Sequence, residues 1–275
     1  MRKGIIILSI MSLFVYGCGQ ATKTQTATGN DPGRPRERQI LDRLLPGVMA
    51  GKDSDAGVQS YLQQHFPGLE IFVDEDGSIR YNEGLIVISR MINDELVFAF
   101  TYSEVDSLLV FYRLNNESWK ETGRRKPGIP VGMIYSEELN GKPGREVIVS
   151  TWPNMNSNSW KECFVYFPEE DTIRFAGSFS TDYEVDLKNR TISETYEGSN
   201  YMSPHKTLYG WHEDHLVPLR TAVIVVPEDW NTNEKRILEY YEAHDYNCPM
   251  RLVFSETYDK QNKKHDQYWN HFFGW

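Results

Sequence analysis

The chain has 275 residues, 39 acidic against 29 basic, for a formal net charge of −10, with 40% hydrophobic and 13% aromatic residues. A balance of that sign argues against nucleic acid and anionic lipid as partners, because phosphate recognition needs clustered Lys and Arg. The length is enough for a β domain whose core needs no covalent staples.

Arg2 and Lys3 precede an apolar run from Ile5 to Val15, and Gly17 stands directly before Cys18. The run is about half the roughly 20 apolar residues that cross a bilayer, so residues 1–17 read as a secretory signal peptide. The string Val15-Tyr16-Gly17-Cys18 resembles the lipobox of bacterial lipoproteins, although Tyr16 is bulkier than the small residue usual there. The resemblance implies cleavage before Cys18 and diacylation of its thiol by palmitate-type chains. One acyl chain binds a membrane only marginally, at about 0.8 kcal/mol per buried CH₂, whereas two or three hold firmly. Gly19 stands where an Asp would direct inner-membrane retention, which favours the outer membrane.

Residues 18–36 are Thr, Gln, Gly, Pro and charge, a composition that suits a flexible lipidated tether. Ile40, Leu41, Leu44 and Leu45 then recur at helical spacing until Pro46, and a second short helix is expected to carry Val58, Tyr61, Leu62 and Phe66. From Leu69 onward the apolar period becomes two. LEIFV should pair with SIRYN, and GLIVISRMI with ELVFAFTY across Asn93-Asp94. Further runs follow: SLLVFYRL, VGMIY, EVIVST, ECFVYF, TIRFAG, YEVDL, TISETY, KTLYGW and LVPLRTAVIVV. RILEYYEAHDY is ambiguous, but RLVFSETY follows Asn247-Cys248-Pro249 and would pair with it as a strand. No helical pattern alternates with these strands. The expectation is therefore a mainly β, antiparallel fold over residues 37–275 as a single domain, propeller-like or barrel-like, with one or two short N-terminal helices.

With Cys18 lipidated, Cys163 and Cys248 remain as an even pair in an exported chain, either bridged or as two buried thiols. A bridge would stabilise by about 4 to 5 kcal/mol in the chain-entropy model.

Glu137 to Val149, EELNGKPGREVIV, resembles the FG-GAP type of propeller repeat at Asn140, Gly141, Glu146, Val147, Ile148 and Val149. Glu138 and Lys142 replace the two Asp ligands of calcium-binding repeats, so the resemblance implies the fold and not the metal. The stretch from Phe164 to Val226 is similar to a family of small Gram-negative envelope proteins, some of which inhibit lysozyme-like enzymes. That resemblance implies a propeller-like fold and binding rather than catalysis.

His205, His212 and His215, with Glu213 and Asp214, are the densest group of metal-ligand types, but their spacing fits the polar turn of a hairpin better than a metal site. Glu104, Asp106, Glu184 and Asp186 are candidates for an acid–base pair, yet they read equally as the wet face of strands. Neither a nucleophile elbow nor a phosphate loop is present, so no cofactor and no catalytic activity are expected. The chain has seven Trp, and Trp152 and Trp160 flank a polar stretch with Asn154, Asn156 and Asn158. Aromatic faces beside amides suit a protein hot spot or a stacked sugar. The function expected is a lipid-anchored envelope module, facing periplasm or exterior, that holds or inhibits a protein partner such as a basic, lysozyme-like enzyme. The alternative is a saccharide-binding or saccharide-cleaving lipoprotein.

Overall fold

Strands joined by polar turns pair with their sequence neighbours before anything else, and this chain builds its sheets in that way. The structure is a computed structural model describing residues 36–49, 64, 70–73, 78–93, 95–155, 157–180, 182–198, 203–225 and 235–273. The signal peptide, Cys18, the tether apart from Arg36, which opens the first helix instead, Asn156 and, apart from Gln64, the expected second helix lie outside the described residues.

Helix α1 (Arg36–Met49) comes first. It runs past Pro46, where the sequence suggested an end. Proline removes one backbone donor without forbidding helical φ, and burial of Ile40, Leu41 and Leu44 against a sheet supports the preceding turns. The first sheet is a meander of β1 (Ile71–Val73), β2 (Ile79–Tyr81), β3 (Gly84–Ser89), β4 (Phe98–Ser103), β5 (Leu108–Asn115) and β6 (Ser118–Arg125). The second contains β7 (Met133–Glu137), β8 (Glu146–Ser150), β9 (Trp160–Phe167) and β10 (Thr172–Ser180). The third contains β11 (Asp182–Asp186), β12 (Thr191–Tyr196), β13 (His205–His212), β14 (His215–Val225), β15 (Ile237–Glu242) and β16 (Arg251–Thr257). Helix α2 (Lys263–Trp269) follows, opened by Asn262, whose side chain accepts from the Lys264 N–H. Every pairing is antiparallel. The ambiguous RILEYYE segment is a strand, as expected. β3 and β4 are joined by a longer connection than a tight Asn-Asp turn. Ile92 is buried there, and its carbonyl accepts from the Arg145 N–H at 3.2 Å, which draws the connection toward the second sheet.

Four clusters show how the layers stack. Ile40, Leu41 and Leu44 of α1 cover one face of the first sheet, with Ile86, Val110, Tyr112 and Trp119. Its other face packs on the second sheet through Phe98, Phe100 and Phe111 against Val147, Val149 and Phe164. The second sheet then turns Ile148, Cys163 and Phe179 to Ile192, Trp211 and Leu216 of the third. Ala222, Ile224, Leu238 and Tyr240 on the far face of the third sheet meet Tyr268 and Trp269 of α2, with Phe272 beyond it. Successive meanders thus stack face to face, and a helix covers each end of the stack. The barrel alternative is not what forms, since none of the sheets closes on itself. No described helix is long and apolar enough to cross a membrane.

One polar latch reinforces the apolar contact between the first two sheets. Asp171, at φ +53° in the β9–β10 turn, accepts from Arg113 Nε at 2.5 Å, Lys120 Nζ at 2.6 Å and the Tyr166 hydroxyl at 3.0 Å. Burial pushes the Asp171 carboxyl up, but these bonds outweigh it and take it from the ordinary 3.8 down to about 2. A depressed carboxyl stabilises the fold above its unfolded value and loses that contribution as pH falls through the folded one. Lowering the pH through the window from 3.8 to about 2 should therefore cost the native chain roughly 2 kcal/mol of unfolding free energy through this group. Denaturant titrations across that window check the effect. An Asp171→Asn chain should be less stable at neutral pH and show a correspondingly flatter acid dependence.

Candidate functional site

The loop between β8 and β9 carries the segment that the sequence singled out. Its turn is closed from within: the Asn154 N–H donates to the Asn158 carbonyl at 2.9 Å, and Asn154 Oδ1 accepts from the Asn158 N–H at 3.0 Å. Ser157 takes the left-handed conformation that such a turn needs, at φ +61°. The Thr151 hydroxyl accepts from the Trp160 N–H at 3.1 Å, fixing the base of the loop. Asn154 thus spends its side-chain oxygen on the loop itself.

The two tryptophans part company. Trp152 is 57% exposed, and the Arg80 guanidinium lies over its ring, 4.6 Å from the centroid. Arg80 is anchored in turn by donating Nη2 to the Gly132 carbonyl at 2.8 Å, and it stands opposite Phe72, itself 59% exposed, in the β1–β2 pair. Gly132 lets Trp152 lie this close, because a Cβ there would fall 2.5 Å from the Trp152 backbone nitrogen. Met155, on the same loop, is fully exposed. Trp160 instead is half-buried, its ring 5.6 Å from Tyr196, which stacks at 5.1 Å on His205.

Near Trp160, buried polar groups accompany the apolar cluster between the second and third sheets. Lys161, 6% exposed, donates to the Ser159 hydroxyl at 2.9 Å and lies over the Tyr183 ring. Burial pulls its ammonium below the usual lysine range, against the pull of Glu137, Asp182 and Glu194. Glu194, 1% exposed, faces His205 Nε2 at 3.3 Å and accepts from the Ser180 N–H at 3.1 Å. Burial pushes the Glu194 carboxyl up, but the bonds from His205 and Ser180 prevail and hold it below the ordinary carboxylate value. Tyr183 donates to Glu137, joining the third sheet to β7. A His–carboxylate pair can do acid–base work only where a substrate reaches it. Here Tyr196, 5% exposed, stacks on the imidazole, and the pair ties β12 and β13 to the end of β10.

The remaining sequence candidates are dispersed. His212 and His215 face each other across the β13–β14 turn, whose Glu213 sits at φ +54°, while His205 lies at the opposite end of β13. His212 stacks on Tyr246 at 5.3 Å. No group of three metal-ligand side chains forms among the described residues. Glu104 and Asp106 are exposed at the β4–β5 turn, and Glu184 and Asp186 are exposed along the edge strand β11. Of the two alternatives for Cys163 and Cys248, the structure has the free thiols and not the bridge. Cys163 points into the core between the second and third sheets, whereas Cys248 lies in the β15–β16 loop.

The segment resembling an FG-GAP repeat folds around a carboxylate. Glu146, 3% exposed, accepts from the Leu139 N–H at 2.7 Å, the Asn140 N–H at 3.2 Å and Asn140 Nδ2 at 2.5 Å. Trp211 Nε1 donates to the Leu139 carbonyl at 2.9 Å, Arg190 Nε to that of Asn140 at 2.8 Å, and Lys142 Nζ reaches Asp214 at 2.7 Å. Glu146 therefore organises the loop, and the loop docks on the hairpins of the third sheet.

Sequence reasoning found Trp152 but missed Arg80 and Phe72. Nothing in the alternation Ile79-Arg80-Tyr81 announces a partner more than seventy positions away. Among known proteins, no family model matches the chain and no curated protein is significantly similar to it. A solved structure, that of a Xanthomonas Type IV secretion system related protein, is matched at 13% identity over 66% of this chain and 96% of that one, with a TM-score of 0.36.

Proposed function

We propose that this chain is a binding module of the Gram-negative envelope, held at the outer membrane by lipid on Cys18, that docks a protein partner through the surface around Trp152. The carrying observation is the exposed Trp152 ring, fixed by Arg80 above it and Gly132 behind it, beside exposed Phe72 and with Met155 on the same loop. Trp, Arg and Met are the residue types that interface cores favour, and a side chain held rigid before binding has less entropy to lose. The net negative charge favours encounter with a basic partner, such as the lysozyme-like enzymes that the envelope-family resemblance implies, while the contact itself rests on Trp152 and Arg80.

The test is a pull-down from detergent-solubilised envelope with the intact chain, reading bound protein by mass spectrometry and bound sugar by composition. A stoichiometric protein should be retained. Trp152→Ala should weaken its binding by about 2 kcal/mol or more, roughly thirtyfold, while leaving the fold intact because the ring is exposed. Sugar recovered without protein would replace this reading with the saccharide one. A partner that binds Trp152→Ala as tightly as the native chain would move the docking surface elsewhere.

A further inference from the structure

In the β15–β16 pair Ile237 stands opposite Thr257, and the Tyr258 N–H donates to the Arg236 carbonyl at 2.7 Å. The start of β15 and the segment after β16 are therefore side by side at one end of the third sheet. A shallow depression lies there, lined by Lys235, Arg236 and Lys260 with Thr257, Tyr258 and Asn262, and with Asp259 as the acidic residue of the lining. Lys263 follows at once, and all four cations are exposed. Of the acidic groups here, Asp259 belongs to the lining itself and Glu256 directly precedes Thr257. Asp259 Oδ1 accepts from the Gln261 N–H at 2.9 Å, and Glu256 is paired with Lys264 and His265.

Such a gathering is out of character for a chain of net charge −10. Charges farther apart than a Debye length, about 8 Å at physiological salt, are largely screened from one another, so local composition decides what a site attracts. Three cations against one carboxylate leave this lining net positive, and with a hydroxyl and an amide they can supply charge-assisted hydrogen bonds to an oxyanion.

We propose that this depression binds a phosphate group, presented by an anionic lipid headgroup or as the free anion. The site is independent of the docking surface around Trp152. It also revises what net charge alone implied. Anionic phosphate is unsuited to the chain as a whole, yet pairing β15 with β16 makes a cationic exception that linear spacing hides.

The experiment follows acylation of individual lysines in the intact chain by an amine-reactive ester, read by peptide mass spectrometry. Four conditions are compared: detergent alone, detergent with inorganic phosphate, phosphatidylcholine vesicles, and vesicles of phosphatidylcholine with phosphatidylglycerol. Lys235 and Lys260 should react about fivefold more slowly when phosphate is available to them, whereas exposed Lys188, on the β11–β12 turn, should not change. Protection by inorganic phosphate identifies the free anion as a ligand. Protection confined to the phosphatidylglycerol vesicles identifies the headgroup. Equal rates in all four conditions, or slowing shared by Lys188, would overturn the proposal.

Discussion

Replacing Phe164 by alanine is expected to lower the unfolding free energy by about 3–5 kcal/mol, the range for removing a buried aromatic ring. The side chain is 1% exposed and faces the first sheet from β9, with ring centroids 4.9 Å from Phe111 and 5.8 Å from Phe175. Phe100 extends the chain of contacts by meeting Phe111 edge-on at 5.9 Å. Rings in such arrangements contribute about 0.5–1.5 kcal/mol per pair beyond the area they bury, so removing Phe164 also weakens its neighbours' contacts. The backbone here is locked in ladders on both sides of β9, which limits how far the sheets can collapse into the space left behind. Denaturant unfolding measures the effect directly. A loss under about 1.5 kcal/mol would mean that the first two sheets repack freely, as no close-packed interface does.

Glu146→Ala should cost about as much by a different route. Its carboxylate accepts from the Leu139 N–H, the Asn140 N–H and Asn140 Nδ2, and both partner residues are buried. Each buried donor left without an acceptor costs roughly 1–3 kcal/mol, so about 3 kcal/mol or more is expected in total. Burial pushes the Glu146 carboxyl above its ordinary value, while the bonds from Leu139 and Asn140 oppose the shift. Glu146→Gln keeps one acceptor oxygen and avoids the buried charge, so it should be milder. Because Trp211 donates to the Leu139 carbonyl, the loss should also appear in the near-ultraviolet circular dichroism. Equal stability of Glu146→Ala and the native chain would show that the loop is held by its other contacts alone.

Much of the fold was legible because its determinants are local. Period-two runs such as LLVFYRL and ECFVYF became β5 and β9, since each needed only a turn to find its neighbour. SWKETGRR is legible at its start, where LLVFYRLNNESWKE reads as an apolar strand, a polar turn and an aromatic strand, and the β5–β6 hairpin forms there. β6 buries Trp119 and Thr122, while Lys120 and Arg124 carry the charge that masks the alternation. The stacking of sheets was not readable, because apolar residues on the two faces of a strand look alike in sequence. The Trp152 surface was half visible for the same reason: its ring was conspicuous, but the Arg80 stack depends on how two sheets meet at their rim. The two free cysteines show that an even count does not bring sulfurs together.

The layers follow the chain in order, from α1 through the three sheets to α2. For a polypeptide delivered from its N-terminus, whether by a ribosome or through an export pore, each new sheet emerges when its docking face is already complete. The unfinished molecule then offers one bare surface at a time, and the next segment to arrive is the one that covers it. Such sequential assembly shortens the time during which apolar faces and open strand edges stay exposed to other chains.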